Sequence, residues 1–382
     1  MKKKKGKRPE WAPRNPEDGF ASEIVEGVSA QHDGLSRQSE REIGEHSRSE
    51  MAAPRRKELT IEQHVEGVLE GDRSVLAQTI TLIESNALEH QDKAQAVLQA
   101  LLPHTGNSIR VGITGVPGVG KSTFIDMLGA KLTRRNLDVA VLAVDPSSSV
   151  SGGSILGDKT RMQNLVGDSH AFVRPSPSRG TLGGVARKSR ETMLVCEAAG
   201  FDVIFVETVG VGQNEITVRS MVDFFLLLMI AGAGDELQGI KRGVMELADA
   251  VVINKADGEN TVHAEAARGE YERALHYLLP ATEGWQTQAL TCSSLTGDGI
   301  DALWDKILEF EATTKKSGIF ESRREDQATA WFHDMITEYL RTMFMRDEQI
   351  KDMLPILEKQ IRRGTVSATQ AARQIVSLFD KK

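Results

Sequence analysis

The run Gly115-Val116-Pro117-Gly118-Val119-Gly120-Lys121-Ser122-Thr123 has the residue types and spacing of a loop that cradles a nucleoside triphosphate. Gly115, Gly118 and Gly120 have no Cβ, so backbone N–H groups can turn inward around phosphate oxygens. A helix starting near Lys121 adds the positive end of its dipole. The Lys121 ammonium is spaced to reach the β- and γ-phosphates, and the Ser122 hydroxyl to ligate Mg²⁺.

Two apolar runs end in acids. "DVIFVET" carries Glu207, where a carboxylate holds Mg²⁺ directly or through water. Most triphosphate loops are paired with Asp there, so Glu207 is a departure. "DVAVLAVD" ends in Asp145, read as a second Mg²⁺ group, with a turn cap beside Pro146 as the alternative. Gly210, past Glu207, sits where a loop approaches the γ-phosphate and senses it. Many hydrolases of this kind place a water-orienting Gln directly after that glycine. Here Val211 stands there and Gln213 follows, so intrinsic hydrolysis is expected to be slow and to need a partner or dimer contact.

The base is read further on. In "NKAD" the Asp257 carboxylate can accept from the N1–H and the 2-amino group of guanine, a donor pair that adenine lacks on that edge. Asn254 supports the loop and the Lys255 stem can lie over the ring. Ser293, Ser294 and Leu295, in "CSSLTGDGI", are spaced to give backbone contacts to the base. The order of loop, acidic strand end, NKAD and SSL makes guanine the expected base.

These residues need a scaffold that brings distant strand ends together. From 108 to 294, short apolar runs alternate with amphipathic segments: "SIRVGIT", "DVAVLAVD", "HAFVRP", "DVIFVET", "FFLLLMIA", "AVVINKAD" and "QALTCSS". Runs apolar throughout suit parallel strands buried on both faces. The fold class is therefore α/β, a doubly wound and mostly parallel sheet with ligand loops at the strand carboxyl ends. Helical extensions flank it. Residues 1–57 read as a disordered extension, 58–105 as a helical segment opened by a Thr60–Gln63 capping box, 106–312 as the nucleotide domain and 313–382 as a helical arm. In the arm, Trp331, Phe332, Met335, Ile336, Tyr339, Leu340, Met343 and Phe344 read as one apolar ridge, for the protein's own core or for a subunit interface. Ser367 and Gln370 have capping-box spacing before a closing helix. Four polar or glycine-rich stretches read as functional loops: 146–162 with Asp158 as a Mg²⁺ or switch residue, 175–187 with Arg179, the segment after Glu207, and 231–243 with Asp235, Glu236, Lys241 and Arg242.

Composition bounds the setting. With 40% hydrophobic and 26% charged residues the chain is an ordinary globular one, and a net charge of −7 gives no global sign of nucleic-acid binding. The basic start "MKKKKGKR" reads as a solvated tail. Two distant cysteines, Cys196 and Cys292, exclude a disulfide framework and a four-cysteine zinc site and fit a reducing cytosol. The apolar stretch at 224–231 is too short to cross a bilayer, and no secretory core is present. Glu10, Glu17 and Asp18 argue against an organelle-targeting segment, so a cytoplasmic protein with no membrane contact is expected.

Together these strings resemble the MeaB/ArgK family of GTPases. The matching stretches are "GITGVPGVGKST", "AVDPSSSVSGGSILGDKTRM", "RPSPSRGTLGGVAR", "VIFVETVGVGQNE", "GDELQGIKRGVMELAD" and "NKAD", and with the flanking helices they cover roughly residues 60–382. The resemblance implies a GTP-hydrolysing chaperone of an adenosylcobalamin-dependent methylmalonyl-CoA mutase or a related acyl-CoA mutase. GTP and GDP would gate cofactor loading and release of damaged cofactor, with Mg²⁺ present and cobalamin adenosyltransferase as a further partner. Glu207 in place of Asp is itself a feature of the family. The resemblance further implies that Lys121, Ser122, Asp145, Asp158 and Glu207 form the phosphate and Mg²⁺ set, that 231–243 is a switch read by the mutase, and that the C-terminal helices form a homodimer arm.

Two other readings compete. A metal-insertion GTPase would carry a Cys/His cluster, and the nine histidines are scattered. A transport-linked ATPase or kinase would have no use for NKAD.

Overall fold

Seven apolar runs become seven strands of one parallel sheet in the computed structural model of the chain. They are β1 (Ile109–Gly115), β2 (Val139–Val144), β3 (Ala171–Arg174), β4 (Val203–Thr208), β5 (Phe224–Ile230), β6 (Ala250–Asn254) and β7 (Gln288–Thr291), in the order β3-β2-β4-β1-β5-β6-β7. The structure describes residues 58–144, 162–175, 182–208, 214–232 and 243–379.

Parallel strands cannot be joined by tight hairpins, so connections cross the faces and lay helices on them. These include α4 (Lys121–Thr133), α5 (Gln163–Val166), α6 (Leu182–Ala198), α7 (Asn214–Arg219) and α8 (Thr261–Leu275). Strand side chains alternate between the two faces. Val139 and Val141 join Phe124, Ile125 and Leu128 of α4 in one core. Ala140, Leu142 and Val144 join Val195 and Cys196 of α6 in the other. Both faces are covered, which is why the strands read apolar throughout.

The second core continues into three N-terminal helices, α1 (Ile61–Leu69), α2 (Arg73–Glu84) and α3 (Leu88–Leu101). The Thr60–Gln63 pair closes a reciprocal cap on α1, at 3.3 Å and 2.9 Å. Polar ties hold the helices to the sheet layer: Lys188 Nζ donates to Asn86 at 2.6 Å, and Gln95 donates to Glu191 at 3.1 Å. Leu59–Lys382 is accordingly one compact unit.

After β7 come α9 (Ile300–Ser317), α10 (Ile319–Arg346), α11 (Glu348–Arg362) and α12 (Ala368–Phe379). The foot of α10 is anchored at the amino ends of the strands. Arg324 makes two bonds to the Asp223 carboxylate, at 2.8 Å and 2.6 Å, and caps the Gly106 and Ser108 carbonyls at 2.7 Å each. Asp223 is 1% exposed and also accepts from the Arg110 backbone. Nearby Arg219, at the end of α7, pairs with the fully buried Asp249 at 2.8 Å, and Arg323 bonds the Thr282 hydroxyl that in turn bonds Asp249.

Beyond its foot α10 has two faces rather than one ridge. Trp331 and Met335 turn toward α6 and α7. Phe332, Ile336, Tyr339, Leu340 and Met343 are 40–61% exposed on another side. At 100° per residue the two sets fall on different sides of the cylinder. Phe344 packs instead on the small core that Ile350 and Leu357 of α11 form with Ala371 and Ile375 of α12. Ser367 accepts from the Gln370 backbone at 3.2 Å at the start of α12. No helix among the described residues is long and apolar enough to cross a membrane.

Candidate nucleotide site

Because the strands are parallel, their carboxyl ends share one edge, and the chain reverses its direction of sheet growth at β1. The loop 115–120 leaves β1 there and runs into α4. Gly115 has φ +152°, and a Cβ on it would lie 2.4 Å from the Leu228 carbonyl oxygen of β5. Gly120 has φ +95°, and a Cβ there would come 3.0 Å from the Asn254 amide nitrogen. Only glycine allows both approaches. Val116 and Val119 face the core and pin the loop, while Pro117 and Gly118 are exposed at its tip.

Lys121 is buried at the first turn of α4. Its Nζ donates to the Gly115 carbonyl at 2.8 Å and lies 3.4 Å from that of Val116. Burial pushes its pKa below the ordinary lysine value, and the charges of Glu207 and Glu215 pull the other way. Ser122 Oγ donates to Glu207 Oε1 at 3.0 Å, across 85 residues of sequence. Glu207 is there because it sits in register beside Ile113 of β1. Two hard oxygens at this spacing beside the phosphate loop suit Mg²⁺, which takes oxygen ligands. Thr123 is exposed, one residue further along α4.

The residues expected to read the base cross-brace the two loops. Asn254 Nδ2 donates to the Val119 carbonyl at 2.9 Å, and Lys255 Nζ donates to that of Gly118 at 2.9 Å. Asn254 Oδ1 accepts from the Ser294 backbone and hydroxyl at 3.0 Å and 2.8 Å. Asp257 accepts from Ser293 Oγ at 2.5 Å, and that same oxygen accepts from the Leu295 and Thr296 backbone N–H groups. One oxygen of the carboxylate is thereby oriented, as reading a purine edge requires. Leu295 is exposed beside it. Cys292, whose thiol burial pushes up to about 12, lies 3.5 Å from Asn254 and is an inert part of this brace.

Asp145, Asp158, Gly210, Gln213, Asp235, Glu236, Lys241 and Arg242 lie outside the described residues. Two features escaped the sequence reading. Thr114 and Thr208 bond hydroxyl to hydroxyl at 2.8 Å between β1 and β4, fully buried beneath the site. Glu215, 1% exposed at the start of α7, acts electrostatically on Lys121. A threonine near the carboxyl end of each of two largely apolar strands was the available signal for the first.

A family model described as Methylmalonyl Co-A mutase-associated GTPase MeaB matches residues 76–349. The GTPase ArgK of Escherichia coli is 46% identical over 318 residues, covering 83% of this chain and 96% of its own. The mouse protein named methylmalonic aciduria type A homolog, mitochondrial, is 42% identical over 326 residues, covering 83% of this chain and 79% of its own. A crystal structure of a LAO/AO transport system kinase superposes with a TM-score of 0.67 at 37% identity, over 84% of this chain and 98% of that one. The family match over 76–349 and the identity to these relatives across most of their length make the chain a GTPase of the MeaB family.

Proposed function

We propose that the protein is a GTP-driven chaperone of methylmalonyl-CoA mutase or a related acyl-CoA mutase, gating adenosylcobalamin loading and protecting or reactivating the mutase. The observation that carries this is the family match over 76–349, whose description names a mutase-associated GTPase. The division of the chain proposed with it is an N-terminal extension (1–57), a helical segment (58–105), the GTPase domain (106–312) and a homodimer arm (313–382), in the cytoplasm. The exposed stripe on α10 supports the arm.

In this reading Lys121 exchanges its bonds to loop carbonyls for the β- and γ-phosphate oxygens. Ser122 and Glu207 would hold Mg²⁺, joined by Asp145 and Asp158, and the ion would offset charge on the triphosphate. Asp257, held by Ser293, reads the guanine edge, and Asn254 keeps the base and phosphate loops in register. Gln213 orients the attacking water, and turnover is slow until a partner completes the site. Asp235, Glu236, Lys241 and Arg242 report nucleotide state to the mutase, and cobalamin adenosyltransferase is a further partner.

The test is GTP turnover with and without methylmalonyl-CoA mutase, together with the rate of mutase inactivation. Stimulated hydrolysis and slower inactivation are expected. No stimulation and no effect on inactivation would sink the reading. The label of the LAO/AO structure suggests a transport-linked kinase; tighter binding of ATP than of GTP would favour that instead.

A further inference from the structure

The side of α10 that faces α6 and α7 encloses a groove of about 790 Å³. Its lining sets four arginines, Arg187, Arg190, Arg341 and Arg346, against two acids, Asp334 and Glu338. That excess of positive charge stands out in a chain of net charge −7. Arg190 is 7% exposed, and its guanidinium lies 5.7 Å from the centre of the Trp331 ring. Its Nη2 is satisfied by the Ser220 hydroxyl and carbonyl, at 2.6 Å and 3.1 Å. Its Nε has no acceptor among the described residues, nor has the buried indole N–H of Trp331. The Nε of Arg187 is also buried without a hydrogen bond, with the Glu191 carboxylate 3.9 Å away. Buried N–H groups almost always find an acceptor. Four guanidiniums against two carboxylates, on otherwise apolar walls, suit an occupant that brings carboxylate oxygens.

We infer that this groove receives a carboxylate-bearing, otherwise apolar segment of the client mutase. The inference rests on the function proposed above. Two observations favour a client over a second copy of the chain. The exposed stripe on another side of α10 is apolar, the character of a permanent interface, whereas this groove carries four arginines, and transient interfaces are the more polar kind. The groove also abuts α6 and α7, which begin directly after residues 176–181 and 209–213, the stretches that follow β3 and β4 at the nucleotide edge. An occupant here touches the two helices that directly follow those stretches in the chain.

The experiment uses the full-length chain, methylmalonyl-CoA mutase holoenzyme and a non-hydrolysable GTP analogue, with affinity read by biolayer interferometry. Arg341→Glu and Arg346→Glu each reverse an exposed charge on the groove rim. Each is expected to weaken mutase binding about tenfold, with intrinsic GTP turnover and sedimentation behaviour unchanged. If wild type and both variants bind the mutase equally, the inference is overturned and the chaperone reading stands. If the variants change the oligomeric state instead, the occupant is a second copy and the inference is overturned. If the wild type does not bind the mutase, the functional reading fails and the inference falls with it.

Discussion

The Asn254 amide donates to the Val119 carbonyl at 2.9 Å, so the residue opening the base-reading loop holds the phosphate loop directly. Its oxygen is used as well, by the Ser294 backbone and hydroxyl. Asn254→Ala would strand these buried groups. A loss of about 2–3 kcal/mol in stability is expected, together with weaker GTP and GDP binding. Denaturant melts and nucleotide titration of the same variant check both.

Asp257→Asn replaces an acceptor by a group that can donate. GTP affinity is expected to fall by roughly 10²–10⁴-fold, while xanthosine triphosphate, which carries an oxygen at position 2, gains. Ser293→Ala should weaken GTP binding by less and leave the preference for guanine over xanthine intact. Competition titrations with the two nucleotides separate the cases.

Glu207→Gln keeps a partner for Ser122 but removes the negative charge. GTP hydrolysis is expected to drop by about 10²-fold, and the Mg²⁺ concentration for half-maximal turnover to rise. Nucleotide binding without Mg²⁺ should change little. A Mg²⁺ titration of turnover is the measurement.

Burial holds the Lys121 pKa below the ordinary lysine value of 10.5, with Glu207 and Glu215 partly offsetting it. Triphosphate binding favours the charged form and so raises that pKa. GTP affinity should therefore be flat at neutral pH and fall as pH rises through the free protein's lysine pKa, beginning below 10.5. The folding sign is the reverse of a stabilising pair. The unfolded chain binds more protons in the window between the folded value and 10.5, so stability gains with pH there. Titration of a fluorescent GTP analogue from neutral to alkaline pH tests the first statement.

Arg324→Ala would leave the Asp223 carboxylate, 1% exposed, without its guanidinium. Removing one member of a buried pair costs about 3–5 kcal/mol. The double variant with Asp223→Ala should recover part of that loss. Unfolding midpoints of the three variants give the coupling.

The sheet was legible because its five inner strands are buried on both faces and so read as apolar runs, while the edge strands β3 and β7 are only partly buried. The phosphate loop and NKAD were legible because each packs its chemistry into a few consecutive residues. The brace between them was not: Asn254 and Val119 lie 135 residues apart, and the bond is made by a side chain to a backbone oxygen that no residue type encodes. The anchor of α10 was hidden for the same reason, although Asp223 and Asp249 stand directly before the apolar runs of β5 and β6 and so were conspicuous acids. In the sequence, the ridge on residues 331–344 reads as one surface because apolar residues recur too densely there to separate two faces. Burial separates them, sending Trp331 and Met335 inward to the groove and leaving Phe332 and Met343 bare.

The anchor at the strand amino ends has a bearing on how the chain can be divided. By motif, the GTPase portion ends near residue 312, and a shortened version looks reasonable to express. By folding it does not end there. Arg323, Arg324 and Gln327 supply the hydrogen bonds that Asp223, the Thr282 hydroxyl and the Val222 carbonyl use inside the sheet layer. A fragment cut before α10 would carry the whole nucleotide signature and lack the groups that make its own core electrically tolerable. The C-terminal helices are thus no accessory, because α10 supplies the counter-charge of the domain it extends.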